Sequence, residues 1–364
     1  MSPPAAPRLS VELVAKSPRG GWAPLVDKLD TLLASGYPPG LALAVLRRRG
    51  AVFTAWGGFA RVVGVPEPLR RSTLFDLASL TKVVATVPLA LLLAERGEWR
   101  LDDPVWRWLP GYPRREVTLL QLLTHTSGLI PHRPFFESLR GKAAIRRAVF
   151  AEAAGAAPPG AVCYSDLNFM LLGWALEACR GERLDHLVRA ALTEPLGMTR
   201  TRFVPPPGER PLCAATELNG DQRLEPGLIQ GVVHDGNAAA LGGIAGHAGL
   251  FAPLDDLVVY ATALLNPASH PVLSPASLGR LGRRTAASDA DVRSIGWRLS
   301  PSGWGSWPDG TYWHTGFTGT SLLVSPRRGA AVVLLMNGVH PRRRPDAQAR
   351  VRAAVHVLVD QALR

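Results

Sequence analysis

Ser79 and Lys82 have the types and spacing for covalent chemistry. They stand three residues apart in Asp76-Leu77-Ala78-Ser79-Leu80-Thr81-Lys82, at the head of an apolar run, so on a helix they share one face and can touch. A serine hydroxyl is a poor nucleophile until a nearby base takes its proton, and a lysine in apolar surroundings has its pKa lowered toward the range where it can do so. The helix N-terminus would also stabilise an oxyanion formed there. Taken alone, the same four residues also fit an N-capping serine followed by a solvated lysine. Context favours chemistry: of 41 lysines and arginines only Lys16, Lys28, Lys82 and Lys142 are lysine. Arginine cannot give up its proton, so a lysine at 82 is informative.

Two further segments carry polar groups of the right kind. Tyr164-Ser165-Asp166-Leu167-Asn168 lies where a Pro-Pro-Gly break meets a helical run. Tyr164 there can shuttle protons, and Asp166 or Asn168 can hydrogen-bond a lysine or a substrate; a helix cap with a packing aromatic is the plainer alternative. His314-Thr315-Gly316-Phe317 falls in a predicted strand before a Gly319 turn. Gly316 lets a substrate backbone approach, and an edge N–H can supply half an oxyanion hole, although a lone strand histidine is more often structural. Asn237 and His247, on a Gly-rich loop, are weaker candidates for lining a cleft. His125 sits in a Thr-His-Thr-Ser-Gly turn and reads as a loop tie. With His132, His234 and His247 it has no metal-ligand spacing, so neither a metal nor another cofactor is expected.

The elements that must position these residues follow from periodicity. Leu41–Arg47 and Ala51–Trp56 read as a hairpin, and helical segments run from Ser79 to about Ala191, with breaks at Gly97, Pro110, Gly128 and Pro158-Pro159-Gly160. Strand signals return at Ile295–Leu299, Thr311–Thr315, Ser321–Ser325 and Ala331–Met336, and a closing helix spans Asp346–Leu363. Strands at both ends around a helical middle predict one sheet built from the two termini, with an inserted helical lobe and a cleft between them.

Bulk properties bound the function. The chain has 364 residues, 47% hydrophobic and 19% charged, enough for a substantial core. No apolar run reaches the roughly 20 residues of a membrane span, and Pro88 interrupts the most apolar one, Val83–Ala94. The first 25 residues lack the order of a secretory signal, which predicts a cytoplasmic protein. Cys163, Cys179 and Cys213 are odd in number and set among apolar neighbours, predicting reduced thiols. The net charge of +12 is spread along the chain without a nucleic-acid-binding motif, so nucleic acid is not an expected partner.

In this order and at these separations, Ser79-Leu-Thr-Lys82, Tyr164-Ser165-Asp166 and His314-Thr315-Gly316 resemble the serine β-lactamase and penicillin-binding-protein superfamily, in its class C and esterase-like branch. Leu101-Asp102-Asp103-Pro104-Val105, Leu122-Leu-Thr-His125-Thr-Ser-Gly128-Leu129 and Glu194-Pro-Leu-Gly-Met198 are similar to that branch as well. The stretch from His234-Asp235-Gly-Asn237 to Leu250-Phe251 resembles a subgroup that includes peptidoglycan-recycling amidases. The resemblance implies an α+β, β-lactamase/transpeptidase-like fold: an antiparallel sheet from both termini, flanked by helices, with an all-helical lobe inserted. After an N-terminal extension over 1–21, the domain would cover 22–364, its sheet lobe about 22–78 and 205–364 and its helical lobe about 79–204.

The resemblance also implies an acyl-enzyme at Ser79, Lys82 as its activating partner, Tyr164 as the proton relay, and an oxyanion hole from the Ser79 and Phe317 N–H groups. Ser165 is the alternative relay if the Ser-Asp element aligns with the class A branch instead; Leu167 lacks the amide that alignment needs. His314 stands where a lysine is commoner and Asp166 where many members carry asparagine, which weakens a β-lactamase reading. The expected reaction is cleavage of an ester or amide in a small or peptidoglycan-derived substrate, as an esterase, DD-peptidase or muropeptide amidase. A sensor that acylates without turnover is the alternative from another class.

Overall fold

The computed structural model describes residues 8–13, 21–218, 227–288 and 291–364. Its main antiparallel sheet contains β1 (Ser10–Leu13), β2 (Gly40–Arg47), β3 (Gly50–Arg61), β4 (Ala286–Ala287), β5 (Val292–Arg293), β6 (Arg298–Leu299), β7 (Tyr312–Thr315), β8 (Ser321–Ser325) and β9 (Ala330–Met336). Their spatial order is β1-β3-β2-β9-β8-β7-β6-β5-β4. The two chain ends meet where β2 pairs with β9, Leu43 opposite Leu334 and Val45 opposite Val332, so the sheet is built from both termini. Within the stretch expected as an extension, Ser10–Leu13 pairs with β3 at the sheet's edge.

The helices that matter here are α1 (Ala23–Ala34), α2 (Val87–Glu95), α3 (Asp166–Arg180), α4 (Leu254–Leu265) and α5 (Pro345–Ala362). Side chains of a strand alternate between faces, and both faces of this sheet are covered, so β2 and β9 read as unbroken apolar runs. Leu41, Leu43 and Val45 face the core formed with Leu25 and Leu29 of α1 and Val351, Val355 and Val359 of α5. Ala42, Ala44 and Leu46 face the other core, shared with α4 and the helical part of the chain. The small side chains on that face let α4 pack closely on β2 and β9.

One expected strand is shorter than predicted. Ile295–Leu299 pairs only at Arg298–Leu299, because Gly296 has φ +77° and Ser294 N–H bonds Trp297 O, making residues 294–297 a hairpin tip. That tip docks on the helical part: Gly296 N–H donates to Leu123 O at 2.9 Å, and Ile295 and Trp297 are buried. Before α2, Lys82–Thr86 forms a widened π turn in which Val87 N–H reaches back to Lys82 O. Pro88 supplies the cause: it has no N–H for Val84 O, and its ring would crowd that carbonyl in a regular α-helix. Among the described residues no helix is long and apolar enough to cross a membrane. The three cysteines are free thiols.

Candidate active site

Ser79 stands in a sharp turn between the two-residue strand Phe75–Asp76 and the π turn. Ala78, just before it, has φ +46°, a conformation that costs a non-glycine residue roughly 1–3 kcal/mol and persists only where its surroundings impose it. Asp76 imposes it. Its buried carboxylate accepts from Ala78 N–H at 2.8 Å and from His234 N–H at 2.6 Å, while its carbonyl accepts from Thr318 Oγ1 at 2.7 Å. One residue thus ties the Ser79 turn to two other walls of the site. Burial pushes the Asp76 carboxyl up against the opposing pull of those two N–H groups.

Lys82 is fully buried, and its Nζ is surrounded by Ser79 Oγ at 2.9 Å, Asp166 Oδ1 at 2.7 Å and the His247 carbonyl at 3.2 Å. Ser79 and Lys82 therefore touch as their spacing predicts. The expected lowering of the lysine pKa does not hold. Burial does push it down, but the charge of Asp166 and the Tyr164 hydroxyl outweigh burial and leave Lys82 above its ordinary value. The residue responsible is the aspartate that stands where asparagine is commoner. Asp166 is itself held well below the usual carboxylate range: burial opposes that shift, and Lys82 and His132 more than overcome it. His132 Nδ1 lies 3.7 Å from Asp166 Oδ2, which raises the histidine's pKa.

Tyr164 presents its ring to this cluster, with Lys82 Nζ 5.0 Å and the Arg293 guanidinium 5.1 Å from the ring centroid. Its neighbour Ser165 is fully buried and donates instead to Ile130 O at 2.6 Å, away from Lys82. His125, at φ +58°, ties the loop as expected, accepting Ser165 N–H at 3.1 Å on Nδ1 and Cys163 N–H on its carbonyl.

His314 is buried and neutral. Desolvation, then the charges of Lys82 and Arg293, drive its pKa well below the ordinary value, and Nδ1 lies 2.8 Å from Thr315 O. Thr315 is half-buried and pairs with Ser321. Gly316 is required for space: a Cβ there would lie 2.1 Å from Thr320 Oγ1 and 2.4 Å from Leu77 O. Phe317 is half exposed and stacks on His234 with ring centroids 5.5 Å apart. His234 pairs with Glu217 at 3.0 Å, and the Arg343 guanidinium lies 5.3 Å from the Phe317 ring centroid.

These walls enclose a cavity of about 340 Å³ lined by Ser79, His132, Tyr164, Asp166, His234 and Phe317. A cavity of about 370 Å³ between Trp174 and residues 241–246 has no serine or cysteine in its lining. Neither weaker candidate lines the Ser79 cavity. Asn237 is fully buried and braces loops, accepting from Phe136 N–H and donating to Arg133 O. His247 is buried and bonds Asp235 at 3.0 Å, contributing its carbonyl to Lys82. Sequence reasoning missed Asp76, His132, His234 and Arg293 as parts of the site. Only Asp76 had a local signal, its place three residues before the serine. Among the described residues no cluster of three or more His, Cys, Asp or Glu side chains could hold a metal ion.

The fold is that of the β-lactamase and penicillin-binding-protein class of serine hydrolases. A family model for beta-lactamases matches residues 25–356, and the chain belongs to that family. The putative D-alanyl-D-alanine carboxypeptidase of Escherichia coli O157:H7 is 30% identical over 361 residues, 86% of this chain and 82% of that protein. Two solved structures share the fold at 20% identity. An octameric penicillin-binding protein homologue from Pyrococcus abyssi superposes with a TM-score of 0.73 over 90% of this chain and 76% of its own. EstCE1, a hydrolase with promiscuous acyltransferase activity, does so with a TM-score of 0.71 over 93% of this chain and 98% of its own.

Proposed function

We propose that Ser79 is the nucleophile of an acyl-enzyme hydrolase acting on a small ester or amide of peptidoglycan type, such as a D-amino-acid peptide or a muropeptide. The observation that carries this reading is the contact of Ser79 Oγ with a fully buried Lys82 at 2.9 Å, beside Tyr164 in an open cavity. Because Asp166 keeps Lys82 as an ammonium, the lysine holds and polarises Ser79 Oγ, and Tyr164 acts as a relay: its hydroxyl receives the Oγ proton as Oγ attacks the carbonyl carbon and passes its own proton to the leaving alcohol or amine. The Ser79 and Phe317 N–H groups receive the developing oxyanion. The protonated alcohol or amine departs, and water releases the acyl group by the reverse relay, its proton passing through the Tyr164 hydroxyl to Ser79 Oγ. In this reading the substrate enters between the sheet lobe (22–78 and 205–364) and the helical lobe (79–204). The three free thiols favour a reducing compartment, the cytoplasm, where peptidoglycan fragments would be the available form of that substrate.

The neutral, buried His314 offers no fixed cation to a carboxylate, which weighs against efficient β-lactam turnover. A fluorophosphonate should add one mass increment to the intact protein, and Ser79→Ala should remove it; labelling that survives in the variant overturns the assignment. The substrate is then ranked with a short-chain aryl ester, a chromogenic cephalosporin, a D-alanyl peptide and a muramoyl-L-alanine conjugate. Burst labelling without steady product release on all four would favour the sensor over the hydrolase.

A further inference from the structure

The turn Gly316-Phe317-Thr318-Gly319-Thr320 joins β7 to β8 and has its carbonyls gripped from α5. Arg352, only 8% exposed, donates through Nη2 to Gly316 O and, at 3.2 Å, to Thr320 O, and through Nε to Gly319 O at 3.3 Å. One turn earlier on the same helix, Gln348 Nε2 donates to Phe317 O at 3.0 Å. Burial lowers the Arg352 pKa to about 10, which leaves it a cation at neutral pH.

The contact with Gly316 O has a specific consequence. Gly316 C=O and Phe317 N–H belong to one peptide unit, and that unit is trans, so the N–H points opposite to the carbonyl. A guanidinium fixed on the carbonyl sets the tilt of the plane and hence the direction of the N–H, on a residue that lines the Ser79 cavity. A charged donor on the carbonyl also polarises the amide and makes its N–H a stronger donor. We infer that Arg352, assisted by Gln348, is a positioning residue for catalysis, aiming and polarising the Phe317 N–H that completes the oxyanion hole. The inference rests on the acyl-enzyme reading above.

The test compares wild type, Arg352→Met, Arg352→Lys and Gln348→Met on an aryl ester, with phenylboronic acid as a tetrahedral mimic bound through Ser79 Oγ. Loss of a whole oxyanion donor costs about 10²–10³ in kcat, so mis-aiming one should cost roughly 10–100-fold for Arg352→Met. KM should change little, and boronate affinity should fall in the same proportion as kcat. Arg352→Lys, which keeps charge and a donor, should recover part of both. A merely structural role would lower the melting temperature without moving kcat and boronate affinity together. A folded Arg352→Met with unchanged kcat and boronate affinity overturns the inference. If Arg352→Met does not fold, a folded Gln348→Met with both values unchanged overturns it equally. Failure of wild type to label with fluorophosphonate would instead sink the hydrolase reading, so the two failures are distinguishable.

Discussion

Removing the Asp166 carboxylate should destabilise the protein in a way that only a buried lysine can explain. Lys82 is fully buried and Asp166 is its sole anionic contact among the described residues, at 2.7 Å. Breaking a buried pair from one side leaves an uncompensated charge and costs about 3–5 kcal/mol. A chain of 364 residues has an unfolding entropy near 0.8 kcal/mol/K, so Asp166→Ala should melt about 4–6 °C lower at pH 7. Asp166→Asn, which keeps an acceptor for Nζ, should lose less.

The pH dependence fixes the cause. In wild type the folded pKa of Lys82 is raised, so its contribution is fully present below the unfolded value of 10.5 and is lost only as pH rises through the folded value. Asp166 is depressed, so its contribution is present above 3.8 and lost as pH falls through its folded value. In Asp166→Ala burial acts on Lys82 against the Tyr164 hydroxyl alone, so its folded pKa should drop below 10.5 and the variant should gain stability as pH rises. The gap between the two proteins should therefore be widest near neutrality and narrow toward alkaline pH. Calorimetry from pH 6 to 10 measures it. A folded Asp166→Ala melting within one degree of wild type at pH 7, or a gap that widens with pH, would refute a charged Lys82 held by Asp166.

Tyr164→Phe should lose about 10²–10⁴-fold in kcat, the range for a proton-transfer group, whereas Ser165→Ala loses one buried hydrogen bond worth about 1 kcal/mol and keeps most of its activity. Steady-state rates with an aryl ester decide, and the opposite ranking would make Ser165 the relay. Gly316→Ala places a Cβ 2.4 Å from Leu77 O, a main-chain atom two residues before Ser79. It should cost about 10²-fold in kcat/KM because misplacing the site by about 1 Å costs that much, and a rate within twofold of wild type would show that the strand and the Ser79 turn need not meet so closely.

The contact between Ser79 and Lys82 was legible in the sequence because it rests on local geometry: three residues on one face leave little for tertiary structure to decide. The sheet was legible for a similar reason, since β2 and β9 are apolar on both faces and long enough to register. Ile295–Leu299 was misread because its apolar residues serve a hairpin tip pressed on another part of the molecule, and Gly296 was the signal against a strand. The charge state of Lys82 was misjudged because the opposing group, Asp166, is 84 residues away. Arg352 was illegible as a partner of the site, and Asp76 legible only by its place before the serine, because both work on backbone atoms, and a main-chain partner leaves no residue type to recognise.

The third contact of Lys82 is such an acceptor. Its Nζ meets the carbonyl of residue 247, whatever side chain that residue bears, while the neighbouring Gly246 could not gain a Cβ without meeting Phe169 O at 2.2 Å. That contact is thus independent of the side chain at 247 and hostage to the glycine beside it. Substitution of the histidine gives up its Asp235 contact and keeps the carbonyl that meets Lys82.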